Sequence, residues 1–139
     1  MVDDLKQAVQ VGAFNIDQED YGMYLVYALP VGNTPLDTLV VEMEEEIAKV
    51  RDSLISEKDH QKLRNKFENR FVNANSSIEG IANSLARYYL LYGDTGLINK
   101  EIEIYNAITR EEIKEVANTY LKPNQRVVIE YLPEEADAN

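Results

Sequence analysis

The sequence predicts an α+β fold: a mixed or antiparallel sheet with a layer of helices packed on one face. Three observations lead there. Two β-rich runs open the chain, several amphipathic helical segments follow, and a helix-to-strand module closes it. The element order is therefore strand, strand, helices, strand, without an internal repeat or a low-complexity segment.

Ala8 to Asn15 is an apolar and small-residue run that reads as a strand. Ile16-Asp17-Gln18-Glu19-Asp20-Tyr21-Gly22 is turn-like. Met23 to Leu29 is nearly continuously apolar and stops at Pro30, which suits a buried strand. A hairpin with a polar loop joins the two. Thr34-Pro35-Leu36-Asp37 opens a helix, with Pro in the first turn and Asp near the positive end of the helix dipole. Leu36, Leu39, Val40, Met43, Ile47, Val50 and Leu54 keep the helical period, and Glu42, Glu44, Glu45 and Glu46 fall largely on the other face.

Ser56-Glu57-Lys58-Asp59 reads as a second cap, followed by Leu63, Phe67 and Phe71 on one face. Asn73 to Ser77 interrupts that helix. Ile78, Ile81, Leu85, Tyr88, Tyr89 and Tyr92 line the next, which ends near Gly93. A shorter helix from about Gly96 to Ala107 presents Leu97, Ile98, Ile102 and Tyr105. Thr109-Arg110-Glu111-Glu112 is a capping box, in which Thr109 and Glu112 each satisfy a backbone N–H of the first turn. Ile113, Val116, Ala117, Tyr120 and Leu121 form the stripe of that helix, and Lys122-Pro123-Asn124 ends it. Arg126 to Leu132 is a β-rich run read as the closing strand. Residues 1–133 are read as a single partial domain and 134–139 as an acidic flexible tail.

The stretch ITREEIKEVANTYLKPNQRVVIEYLP, residues 108–133, resembles the C-terminal end of a domain of the insulinase-like (pitrilysin-type) zinc peptidases. There a helix introduced by (I/V)T-x-E-(E/D)-(I/V) leads through YL-x-P-x-(Q/N) into a closing strand. The resemblance extends over DQEDYGMYLVYALPVG and SEKDHQKLRNKFENRFVNANSSIEGIANSLARYYLLYGD, and is nearest to bacterial members. It implies the domain fold of those metallopeptidases. It also implies a longer parent, because full family domains carry another strand–helix unit upstream and Met1 then starts inside a domain.

The chain has 139 residues and a formal charge of −11, which argues against nucleic acid and anionic membrane surfaces as partners. No apolar stretch is long enough for a membrane span, and Met1-Val2-Asp3-Asp4 does not begin a secretory signal. Cysteine is absent, which excludes disulfides and thiol catalysis.

Family peptidases hold zinc on an inverted His-x-x-Glu-His motif with a downstream Glu, the motif's Glu acting as general base on zinc-bound water. This chain has one histidine, His60, between Lys58-Asp59 and Gln61-Lys62, so the usual site has no second histidine and no cysteine to complete it. No catalytic residue and no metal ligand is assigned. His60, in a charged helical turn, is expected at the surface. Asp17 to Gly22 looks superficially like a calcium loop, but Tyr21 stands at the fifth position and Ala28 at the twelfth, where a bidentate Glu is needed. It is read as a turn, and the acidic runs 42–46 and 134–137 as solvated faces. Neither a phosphate-binding glycine loop nor a Ser-His-Asp set is supported.

In many noncatalytic family partners an Arg, and a Tyr seven residues later, precede the first strand and hold substrate. Val2 and Val9 stand there in this chain, which points to a degenerate domain. Arg87, Tyr88 and Tyr92, with Tyr89 beside them, are the remaining candidates for peptide contact, since tyrosine joins apolar area to a hydrogen-bonding tip. The plainer reading, and the preferred one, is that these rings pack the helix layer onto the sheet.

The resemblance implies a noncatalytic C-terminal portion of a zinc metalloendopeptidase, helping to enclose peptide substrates. No cofactor is expected in this chain; zinc is implied for the parent. The expected partners are the catalytic domain of the same parent chain and peptide substrate. A homodimer through the Ala8–Leu29 hairpin or its adjacent helices is also expected, because truncation would leave a strand edge or an apolar face open. A periplasmic parent follows from the resemblance alone. Rival readings are a stand-alone peptide-binding or assembly module using a sheet edge, and a hydrolase with a carboxylate-only metal site.

Overall fold

The computed structural model describes residues 6–132. The flexible tail expected at 134–139 and the position of Val2 lie outside that range. The α+β class holds: an antiparallel hairpin packs with a layer of helices. Strand β1 (Ala8–Asp17) pairs with β2 (Gly22–Pro30), Val11 opposite Ala28 and Asp17 opposite Gly22. Both strands run further toward the turn than their apolar runs, leaving a tight loop closed by Gln18 N–H donating to Tyr21 O at 2.9 Å. A bulge at Val9 sets Ala8 against Pro30 but Gln10 against Leu29.

The hairpin is less buried than the continuous apolar run of β2 implied: Met23, Tyr24 and Leu29 are each about half exposed. On one sheet face the Tyr27 ring lies over Gly12, where a Cβ would approach the ring carbons to 2.5 Å. Gln10 Nε2 donates to the Tyr27 hydroxyl at 2.6 Å, and Phe14 meets the ring edge-on at 6.2 Å. The other face turns toward α1 (Leu36–Asp52) across an open apolar groove of about 400 Å³, where Val11, Ala13, Tyr24 and Val26 oppose Met43, Ile47, Val50 and Leu121.

Helix α1 starts one residue later than its proline suggested. Pro35 is the N-cap, not a first-turn residue, and supplies no capping side chain. Helix α2 (Glu57–Ala74) is capped by Ser56, whose Oγ accepts from Asp59 N–H at 3.0 Å. Ser77 caps α3 (Ile78–Tyr92) in the same way through Gly80 N–H. The corner between α2 and α3 demands the glycine, since a Cβ on Gly80 would fall 1.9 Å from the Ala74 carbonyl oxygen. Gly93 closes α3 at φ 68°, a left-handed conformation that glycine adopts without cost.

The short helix expected over 96–107 is two pieces: a 3-10 turn at Thr95–Asn99 and α4 (Glu101–Ala107). Asp94 takes the Gly96 N–H at 2.8 Å, and Lys100 N–H bonds back three residues to Leu97 O, so the first turn is wound too tightly to continue as α-helix. Helix α5 (Arg110–Tyr120) carries the capping box as read, with Glu112 N–H to Thr109 Oγ1 at 3.2 Å and Thr109 N–H to Glu112 Oε2 at 2.8 Å. Ala117 is 3% exposed, and Ile113 and Leu121 are partly covered; Val116 and Tyr120, at 55% and 70%, lie outside the contact.

The third strand is a correction. Residues 126–132 pair with nothing among the described residues, and the sheet there has two strands. β-propensity needs a ladder partner to become a strand, and Val127, Ile129 and Tyr131 remain 86%, 85% and 93% exposed.

Polar bonds do much of the joining. Lys114 Nζ donates to Asp52 O at 2.8 Å, Asn118 Nδ2 to Arg51 O at 2.7 Å, and Arg51 Nη1 to Leu121 O at 2.7 Å, fastening α5 along the end of α1. The acidic run 42–46 is not wholly a solvated face. Glu44 is partly buried because it receives Arg51 at 2.8 Å and also Arg126. The core is thin: among the described residues Ala8, Leu39, Tyr88, Ala117 and His60 are the buried ones.

Candidate functional site

Arg87, Tyr88 and Tyr92 lie on the last turns of α3, beside the tip of the hairpin, and they separate there. Tyr88 is only 9% exposed and packs the helix inward, so it offers no contact surface to a peptide. Tyr88 was one of the three contact candidates, and the packing reading expects such an inward place. Tyr92 stands one turn further along, beside Gly93, where α3 ends. Arg87 reaches across to Asp17 at 2.5 Å and ties α3 to the end of β1, with more than half of its side chain still exposed. Tyr92 is 60% exposed. With Leu91 it faces Asp17 to Gly22 of the hairpin turn across a shallow, open hollow of about 310 Å³.

Three further groups belong to this corner, and local sequence gave no sign of two of them. Tyr105 of α4 stacks on Phe67 of α2 with ring centroids 3.4 Å apart and an interplanar angle of 8°. Burial is the main cause pushing its hydroxyl above the ordinary tyrosine range, helped by Glu101, Asp17 and Tyr92 and opposed by Arg70. Burial likewise raises the Glu101 carboxyl, against the pull of Arg87 and Arg70. Tyr105 was legible as an apolar-face residue of its helix, whereas Arg70 and Glu101 sit on helix faces that read as solvated.

His60 is another correction. It is 7% exposed, and its Nε2 lies 3.0 Å from Ile108 O, to which it donates. Asp59 and Gln61, about 100° to either side on the helix, are exposed, so the charged turn presents a single position inward. That position lies beneath the α4–α5 junction, next to Arg64 Nη2 donating to Asn106 O at 2.5 Å. The calcium-like sequence Asp17–Gly22 is the hairpin turn, with Ala28 inside β2.

The corner can therefore offer a peptide hydrogen bonds from Tyr92 and Arg87 and an apolar ring face. The described residues bring no nucleophile and base together there, and none of their His, Asp and Glu side chains form a group of three able to hold a metal.

Known structures share this arrangement. The chain superposes on the inactive peptidase domain of a Bordetella parapertussis protein described as a zinc protease, with a TM-score of 0.84 and 19% identity, over 96% of this chain and 71% of that one. The fold is shared with structures of bacterial proteases. A protease from Helicobacter pylori matches with a TM-score of 0.81 and 22% identity, over 89% of this chain and 30% of the other. The periplasmic protease PqqL from Escherichia coli matches with a TM-score of 0.68 and 18% identity, over 86% and 14%. The chain thus spans less than a third of the length of the Helicobacter and Escherichia proteins. No family model and no curated protein sequence matches it. Among the described residues no helix is long and apolar enough to cross a membrane.

Zinc, the metal in the description of the Bordetella protein, does not fit the residues of this fold here. The single histidine is turned inward onto a backbone carbonyl, and the sequence contains no cysteine.

Proposed function

We propose that the chain is a noncatalytic portion of an insulinase-like zinc peptidase, one that helps wall the chamber around a peptide while a zinc-bearing domain of the same parent performs the cleavage. The observation that carries this is the superposition, over 96% of the chain, on a peptidase domain described as inactive. The inward-turned His60 and the want of a metal-holding group among the described residues support it. The Arg87–Tyr92 corner is the substrate-facing surface in this reading, with Tyr88 as its packing support. A parent exported to the periplasm fits the same reading, since PqqL, which shares the fold, is a periplasmic protease.

Binding of a fluorescein-labelled unfolded peptide, followed by anisotropy, tests the substrate-facing surface. Tyr92→Ala and Arg87→Ala should each weaken binding by roughly 3- to 10-fold, the scale of one lost hydrogen bond or ring contact. Tyr89→Ala, on an exposed ring of the same helix away from the hollow, should leave it unchanged. Equal losses in all three variants would remove the assignment.

A further inference from the structure

The chain carries both halves of an unmade strand pairing. One half is the outer edge of β1. Among the described residues that edge has no hydrogen-bonded neighbour, its one partner being β2 on the other side. Val9, Val11 and Phe14 along β1 are 65%, 37% and 46% exposed, and Val9 to Asn15 contains no charged residue to discourage pairing. The other half is Val127 to Leu132, a β-prone segment with one charge, Glu130, and no proline. It leaves α5 through a turn. Gln125 N–H closes a turn onto Lys122 O at 3.0 Å, and Arg126 is held by Glu44 on α1. Beyond that anchor the segment stands off its own chain.

The surface area points the same way. A compact monomer of this mass exposes about 7,400 Å², whereas this chain exposes 11117 Å². Even allowing for what the twelve residues outside the described range could add as bare extended chain, about 2,000 Å² of excess remains. An obligate dimer buries roughly 1,000–2,500 Å² from each subunit.

We propose that two copies of the chain form a two-fold dimer by reciprocal strand addition, the 127–132 segment of each copy pairing along the outer edge of β1 of the other. A second copy is the fitting occupant because donor and acceptor occur together on one chain, so the exchange closes upon itself. Each sheet gains a third strand, and Val127, Ile129 and Tyr131 leave water. With −11 on each chain, repulsion between copies opposes the dimer, and added salt strengthens it.

Sedimentation velocity of the 139-residue chain over a wide concentration range reads the mass, and the absence of native cysteine makes cross-linking unambiguous. The expected result is a dimer that tightens with salt. Ile129→Asp, at a position 85% exposed in the isolated chain and so tolerant of a charge, should raise its dissociation constant at least tenfold with an unchanged circular dichroism spectrum. A mixture of Val11→Cys and Glu130→Cys chains treated with a short bismaleimide should give a linked pair, and neither variant alone should do so to the same extent. A monomer at every concentration overturns the proposal. So does a dimer indifferent to Ile129→Asp, or a Val11→Cys/Glu130→Cys double variant that links only within one chain.

Discussion

Leu39 should be the most consequential apolar side chain of the helix layer. It is 2% exposed, on the second turn of the helix that packs against both β2 and α5. Leu39→Ala removes three carbons from the interior, worth about 2.4 kcal/mol at roughly 0.8 kcal/mol for each buried carbon. A cavity adds to this, but the core is thin and its surroundings are free to settle, so the total should lie near the low end of the usual range, about 3 kcal/mol. Val116→Ala is the control. Val116 is 55% exposed, and alanine's better helix propensity offsets most of the small loss, leaving a net change within about 0.5 kcal/mol of zero. Urea melts followed by circular dichroism provide the measurement. With a slope of about 2 kcal/mol per molar, the Leu39→Ala midpoint should fall by about 1.5 M, at unchanged slope, while that of Val116→Ala stays nearly fixed. A Val116→Ala shift equal to or larger than that of Leu39→Ala would refute the placement of α5 against α1.

Thr109→Ala should cost about 1 kcal/mol by opening the capping box. Glu112 accepts from the Thr109 backbone N–H and its hydroxyl, which hold its carboxyl below the ordinary glutamate range. The stabilisation it gives is therefore present above the unfolded value of 4.5 and lost as pH falls through the lower folded value. Glu101 has the opposite sign: its raised folded value favours the folded state in acid, a contribution lost as pH rises through that value. Carboxyl NMR titrations should show the two displaced in opposite directions. Gly80→Ala should destabilise by about 2 kcal/mol or more, since the new methyl meets the Ala74 carbonyl oxygen at the α2–α3 corner; a neutral melt would mean the corner is looser than described. His60→Ala should cost about 2 kcal/mol by leaving the Ile108 carbonyl without its donor, a loss measurable by urea melts.

What the sequence made legible was local. The capping box at Thr109, the Ser56 and Ser77 caps and the glycine stop at Gly93 each need only a few consecutive residues, and each is in place. The hairpin was legible from two β-rich runs around a polar turn, and the α+β class from the order of runs. Contacts between distant parts were not. His60 is buried by a helix junction nearly fifty residues away, and Glu44, besides Arg51 on its own helix, is met by an arginine 82 residues along. The stripe of α5 was read too wide, because periodicity marks an apolar arc and only packing shows which part of it is covered. The closing strand failed for a related reason: Val127 to Leu132 has the side chains of a strand, but pairing depends on a neighbour that its own sequence does not specify. At the candidate site the tyrosines and Arg87 were legible by type. The packing of Tyr88 was legible too, as the preferred reading of those rings; the Arg87–Asp17 tie, spanning 70 residues, and the exposure of Tyr89 and Tyr92 were not.

In the proposed function this chain supports peptide cleavage without performing it. Metal analysis of the purified chain after incubation with excess zinc and desalting, run beside a cleavage assay on a quenched fluorescent unfolded peptide, tests that claim most directly. No stoichiometric zinc and no cleavage above buffer are expected. Retained stoichiometric zinc with cleavage that His60→Ala abolishes would contradict that claim.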